Sequence, residues 1–137
     1  MASAFLDTNI LVYAATARTS DPAKWARALE IISSTEFGTS GQVLAEFVSV
    51  VRHKFSAPMP DDELDQWLDR LSERDVVPVD AELVRRGEEV ASRYRIGYYD
   101  GAVIAAAERL GAGILFTEDL NHGQAYGSVR AVNPFLD

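Results

Sequence analysis

Ala4-Phe5-Leu6-Asp7-Thr8-Asn9-Ile10-Leu11-Val12-Tyr13 holds the first structural decision of this chain. A short apolar run ends at an acid, two polar residues follow, and a second apolar run begins. The pattern predicts a strand over Ala4–Leu6, a switch at Asp7, and a helix beyond it. The same grammar recurs along the sequence. Short apolar runs ending in turn or acidic residues mark further strands at Phe37–Thr39, Val76–Val79, Ile114–Thr117 and Arg130–Val132. Helical patterns fill the gaps. Pro22 follows Ser20-Asp21 as a helix opening, with Trp25, Leu29 and Ile32 after it. Leu64, Trp67, Leu68 and Leu71 form another apolar stripe, Asp80 is placed to cap the helix carrying Leu83, Val84, Val90 and Tyr94, and Gly111 stops the helix that runs from Asp100. Strands joined through helices rather than hairpins require crossover connections. The expected class is therefore α/β, with five strands in a mostly parallel sheet covered on both faces. In open sheets of this kind the ligand site lies beyond the carboxyl ends of the strands, where Asp7 and Asp119 fall.

At 137 residues with a hydrophobic fraction of 47%, the chain suits one domain over 1–137. Apolar stretches such as Ile10–Ala15 and Ala102–Ala107 fall well short of the roughly 18 residues a membrane-spanning helix needs. An acid at position 7 interrupts the apolar core of a would-be export signal, so a soluble, cytoplasmic protein is expected. The absence of cysteine removes disulfides, thiolate metal sites and thiol nucleophiles. Net charge is −8, from 21 acidic against 13 basic side chains, which opposes loose adhesion to nucleic acid but not specific chemistry on it. The cluster Arg85, Arg86, Arg93 and Arg95 reads as a solvated helix face.

Four acids stand where strands end or helices begin: Asp7, Glu46, Asp100 and Asp119. Taken singly, each has an ordinary reading. Asp7 fits a helix N-cap. Glu46 borders the apolar arc of a helix over about 41–54, on a polar stripe with Gln42, Ser49 and His53, for which a solvated helix edge is the simpler reading and a cleft wall the other. Asp100 aligns with Val103, Ile104 and Ala107, so its carboxylate heads a buried face and calls for a partner. Asp119 shares a turn with Glu118, and the pattern does not decide which of the two faces inward. Taken together, carboxylates gathered at one point repel one another, and a divalent cation accounts for the gathering. Hard oxygen ligands without cysteine or clustered histidine suit Mg²⁺ or Mn²⁺.

FLDTNILVY, a glutamate inside the third helix, YYDGAVIAAAERLG and ILFTEDLNHGQ together resemble the PIN-domain nucleases, and among them the VapC toxins. The resemblance covers nearly the whole chain. It implies a three-layer α/β/α fold and Mg²⁺- or Mn²⁺-dependent endonucleolytic cleavage of single-stranded RNA. It also implies neutralisation by a VapB-like antitoxin, and homodimerisation, for which the amphipathic helix Asp61–Leu71 is one candidate surface. It places Asp7, Glu46, Asp100 and Asp119 at the family's acidic positions; ligand chemistry then gives Asp7, Asp100 and Asp119 direct or water-bridged metal ligation and Glu46 the holding or deprotonation of the attacking water, with Thr8, Asn9, Thr117 and Glu118 orienting them. The rival readings are a non-catalytic PIN-like interaction module and a metal-dependent phosphatase. No Gly-x-x-x-x-Gly-Lys loop or serine nucleophile elbow is present, and His53 and His122 read as surface or cap residues. Tyr98 and Tyr99 are read as packing beside the Asp100 helix rather than stacking on bases.

Overall fold

The structure, a computed structural model, describes residues 2–136. Its element order is β1 (Ala4–Leu6), α1 (Thr8–Thr16), α2 (Pro22–Ser34), β2 (Phe37–Ser40), α3 (Gly41–His53), α4 (Asp61–Ser72), β3 (Asp75–Val77), α5 (Ala81–Tyr94), α6 (Tyr98–Leu110), β4 (Ile114–Phe116), β5 (Ala125–Tyr126) and β6 (Val129–Val132). The helix boundaries follow local chemistry. Asp21, Ser40 and Asp80 each accept a first-turn amide of the helix they precede, and Pro22 sits at the first position of α2. Gly111, at φ 82°, takes the left-handed conformation that ends α6. α6 begins at Tyr98 behind Gly97, two residues ahead of Asp100, so Asp100 lies inside the first turn rather than at its start.

The sheet order is β3-β2-β1-β4-β6-β5, and every pairing is parallel except β5 with β6. The sheet thus has six strands, not five. The added strand is a two-residue edge piece. Gly127, at φ 63°, allows Tyr126 to fold back opposite Val129 across a two-residue turn. Two residues are too few to show alternation in a sequence.

From β1 the chain steps outward to β2 and β3, then crosses back over the sheet through α5 and α6 to β4 on the other side of β1. Right-handed crossovers running in opposite directions place their helices on opposite faces, which yields the three layers. Accordingly α1 packs with α2 and α3, whereas α6 packs on α5 and lies across β1, β2, β4 and β6. The core is contiguous through Phe5, Leu6, Ile10, Phe47, Ile104 and Leu115, all essentially inaccessible to solvent. The Thr39 hydroxyl, buried within it, donates to the Leu6 carbonyl at 3.0 Å. Strand order reverses between β1 and β4, which leaves a crevice beyond their carboxyl ends. Among the described residues no helix is long and apolar enough to cross a membrane.

Candidate active site

Asp7 is the first residue past β1, and its backbone amide still donates to the Phe116 carbonyl of β4 at 3.1 Å, so the sheet itself fixes its position. The residue is 6% exposed. Its carboxylate receives the Thr8 amide at 2.7 Å and the Thr117 hydroxyl at 2.8 Å. Asp7 is therefore the cap of α1 and also half of a bridge between the ends of β1 and β4.

The next two residues reach the other acids. The Thr8 hydroxyl donates to Glu46 Oε2 at 3.0 Å, and Gln42, one turn earlier on α3, donates to Glu46 Oε1 at 3.3 Å. Asn9 Nδ2 donates to Asp119 Oδ2 at 3.1 Å, while the Asp119 amide donates to the Thr117 hydroxyl at 3.1 Å. Asp7, Thr8, Asn9, Glu46 and Asp119 line one open hollow of about 310 Å³, along with Tyr13 and Lys54. Asp100, half-buried on the first turn of α6, is not part of that lining.

Electrostatics still couple Asp100 to the others. Burial pushes the Asp7 carboxyl up from 3.8 to about 6; the Thr117 and Thr8 donors oppose this, and the charges of Asp119 and Glu46 add to it. Asp100 is raised by burial and then by Asp119 and Glu46. Asp119 is raised by burial, then by Glu118 and Glu46, with the Asn9 donor opposing. Among the described residues none of the four acids forms an ion pair, and no three carboxylate or imidazole groups are drawn into a closed ligand cluster. Like charges facing an open hollow, with Lys54 on its lining but outside ion-pair distance of them, are expected to stand apart through mutual repulsion.

Glu118 and Asp119 separate. Asp119 faces the hollow, while Glu118 points away to Lys24 and Tyr13, so it does not hydrogen-bond to the other acids. Sequence reasoning overlooked Lys24, Lys54 and Tyr13 at this end of the molecule. The available signal was that the chain's only two lysines both belong here. Tyr99 is 66% exposed, stacked edge-on against Tyr98 at 5.2 Å rather than packed into the fold, whereas Tyr94 packs on Tyr126. His122 accepts the Asn133 amide through Nδ1, a loop role.

Known structures share this architecture. A chain of a toxin–antitoxin complex from Klebsiella pneumoniae superposes with a TM-score of 0.72 at 16% identity, covering 96% of this chain and 98% of that one. VapC20 of Mycobacterium tuberculosis, a toxin that cleaves the sarcin–ricin loop, gives 0.67 at 21% identity over 85% and 92%. VapBC2 from Rickettsia felis, bound to a DNA fragment from its promoter, gives 0.63 at 21% over 93% and 96%. At such identities the likeness speaks to the fold alone. No curated protein matches the sequence. The PIN domain family model matches residues 4–127, a span that opens on β1 and takes in all four acids and the strand order that brings their segments together, and the chain belongs to that family.

Proposed function

We propose that this chain is a metal-dependent endoribonuclease that hydrolyses phosphodiester bonds in RNA, and the toxin of a VapBC-type pair. The observation that carries the reading is that Asp7, Glu46 and Asp119 line the crevice where strand order reverses and have no ion-pair partner among the described residues. Support also comes from the family and from neighbours described as toxins and toxin–antitoxin complexes.

The donor set fits a hard divalent cation, Mg²⁺ or Mn²⁺. All four candidate side chains carry oxygen donors, and among the described residues none of them has an ion-pair partner and Asn9 Oδ1 is buried in the same region without a hydrogen-bond partner. Asp7, Asp100 and Asp119 would hold the ion, directly or through water. When bound, it supplies Lewis-acid stabilisation of the charge that develops on the phosphate and lowers the pKa of water. The chain's own groups do the rest. Glu46, held by Thr8 and Gln42, would orient and deprotonate the attacking water. Thr117 and Thr8 fix both oxygens of Asp7, and Asn9 fixes Asp119, so these carboxylates need little reorganisation. Lys54 lines the hollow, has no ion-pair partner among the described residues, and gives the substrate phosphate a cationic contact that an acidic protein otherwise lacks.

A VapB-like antitoxin and a homodimer complete the assembly expected of such a toxin. The test is incubation of purified protein with a single-stranded RNA oligonucleotide and with p-nitrophenyl phosphate. RNA is cut with Mg²⁺ or Mn²⁺, EDTA stops the reaction, and the phosphatase substrate is untouched. Metal-independent cutting, turnover of the ester alone, or no turnover of either would refute the reading.

A further inference from the structure

Glu118 and Asp119 are adjacent, carry the same charge, and face opposite ways. Asp119 enters the hollow, while Glu118 is gripped outside it. Lys24 Nζ lies 3.1 Å from Glu118 Oε2 and 3.2 Å from the Tyr13 hydroxyl, and that hydroxyl donates to Glu118 Oε1. The ammonium also sits over two rings, 4.7 Å from the centre of Tyr13 and 5.5 Å from that of Phe135, which themselves meet edge-on at 5.1 Å. Four segments join at this point: α1, α2, the turn after β4 and the C-terminal stretch. Both charged partners are largely covered, with side-chain exposures of 33% and 23%, so the pair differs from the freely solvated ion pairs that contribute little.

We infer that Tyr13, Lys24 and Glu118 are positioning residues, a clamp that fixes the Thr117–Asp119 turn so that Asp119 and the Thr117 hydroxyl stay in cation-holding register. The inference rests on the reading of the hollow as a divalent-cation site. A released Glu118 would be free to turn toward the hollow, where one more negative charge opposes Asp119. A shifted turn would also move Thr117, which donates to Asp7 and receives the Asp119 amide. One clamp therefore governs the placement of two expected ligands. Residues that orient metal ligands typically change metal affinity about 10- to 100-fold when removed.

The test measures Mn²⁺ binding, through the paramagnetic signal of the free ion, in wild type, Lys24→Met, Tyr13→Phe and Lys24→Arg. In parallel, hydrogen exchange of the amides at 117–120 is followed in the metal-free proteins. Lys24→Met and Tyr13→Phe are expected to weaken Mn²⁺ binding about tenfold and to speed exchange at the Asp119 amide, with α5 and α6 unaffected. Lys24→Arg, which keeps the charge, is expected to recover most of both. A lowered melting temperature with unchanged Mn²⁺ affinity and unchanged exchange at 117–120 would make the network merely structural and overturn the inference. If wild type itself binds no Mn²⁺, the cation reading fails, and exchange alone decides the clamp. Faster exchange at Asp119 in Lys24→Met supports it, and unchanged exchange overturns it.

Discussion

Two groups of carboxylates in this molecule are treated in opposite ways. On the α5–α6 side, acids meet arginines: Arg86 forks onto Glu108 with contacts of 2.9 and 3.0 Å, and Arg109 reaches Asp80 at 3.0 Å. Both carboxyls are held below their ordinary range, Glu108 by the Arg86 hydrogen bonds and Asp80 by the Leu83 amide and then Arg109. Beyond β1 and β4, Asp7, Asp100 and Asp119 are pushed above theirs by burial first, with neighbouring acids adding to it: Asp119 and Glu46 for Asp7 and Asp100, Glu118 and Glu46 for Asp119. The chain has 11 arginines and lines the hollow with none of them. Where charge serves architecture it is neutralised by ion pairs within the fold; at the crevice the acids have no ion-pair partner among the described residues and stay available to a cation from outside.

The sharpest way to break that contrast is to remove an uncompensated acid. Asp7→Asn or Asp100→Asn is expected to lower RNA cleavage by roughly a thousandfold or more, since cation-based charge stabilisation is worth several kcal/mol and each 1.4 kcal/mol is about tenfold. Circular dichroism should show the fold intact. Retained turnover in either purified variant would refute the assignment.

A second prediction follows from the titration of Asp7. Its folded carboxyl, at about 6 against an ordinary 3.8, keeps a proton over a range where the unfolded chain has lost it. For such a group stability is complete below about 4 and is lost as pH rises through about 6, a loss of about 3 kcal/mol for a shift of this size. Asp100 and Asp119 push in the same direction. Thermal melts of EDTA-treated protein should therefore rise from pH 7 to pH 5, a window above the range where the arginine-paired acids titrate. With saturating Mn²⁺ the trend should flatten or reverse, because ionised acids bind the ion and protonated ones do not. A metal-free melting temperature that falls from pH 7 to pH 5 would contradict this.

The architectural side breaks differently. A β-carbon at Gly101 would stand 2.5 Å from the Gly87 carbonyl oxygen and 2.8 Å from the Ala91 nitrogen, so Gly101→Ala must spread α5 from α6. A destabilisation of about 1–3 kcal/mol is expected in denaturant unfolding. Mn²⁺ affinity of the folded protein should change little, and its loss would show that the two regions are not separable. The smallest effect is expected at Lys54. Lys54→Met should raise KM a few-fold at unchanged kcat, and make the salt dependence of kcat/KM shallower by about 0.7 in log–log slope, the contribution of one contact to a single strand. An unchanged slope would remove Lys54 from the substrate path.

The sequence revealed these two regions unequally. The helix starts at Asp7, Asp21 and Asp80 were legible because a capping acid, a proline or an apolar run marks each locally. β5 was not, since two residues carry no periodicity, although Gly127-Ser128 is a recognisable two-residue hairpin turn. The direction of Glu118 and Asp119 was hidden for a different reason. It is set by partners far away in the chain, Lys24 and Tyr13 on one side and Asn9 on the other, and adjacent side chains of equal charge give no local preference. Asp100 was expected to head the buried face of its helix. Instead, α6 is buried over the whole run Gly101–Ala107 between α5 and the sheet, so no single stripe defines its inner face, and Asp100 projects half-exposed from the first turn.

The most direct test of the central claim is a calorimetric titration of Mn²⁺ into the metal-free protein at pH 7 and at pH 5, alongside Asp7→Asn at pH 7. The account predicts saturable binding by wild type at pH 7, markedly weaker binding at pH 5, and none by the variant. Equal binding by wild type and Asp7→Asn, or no binding by wild type at pH 7, would contradict it.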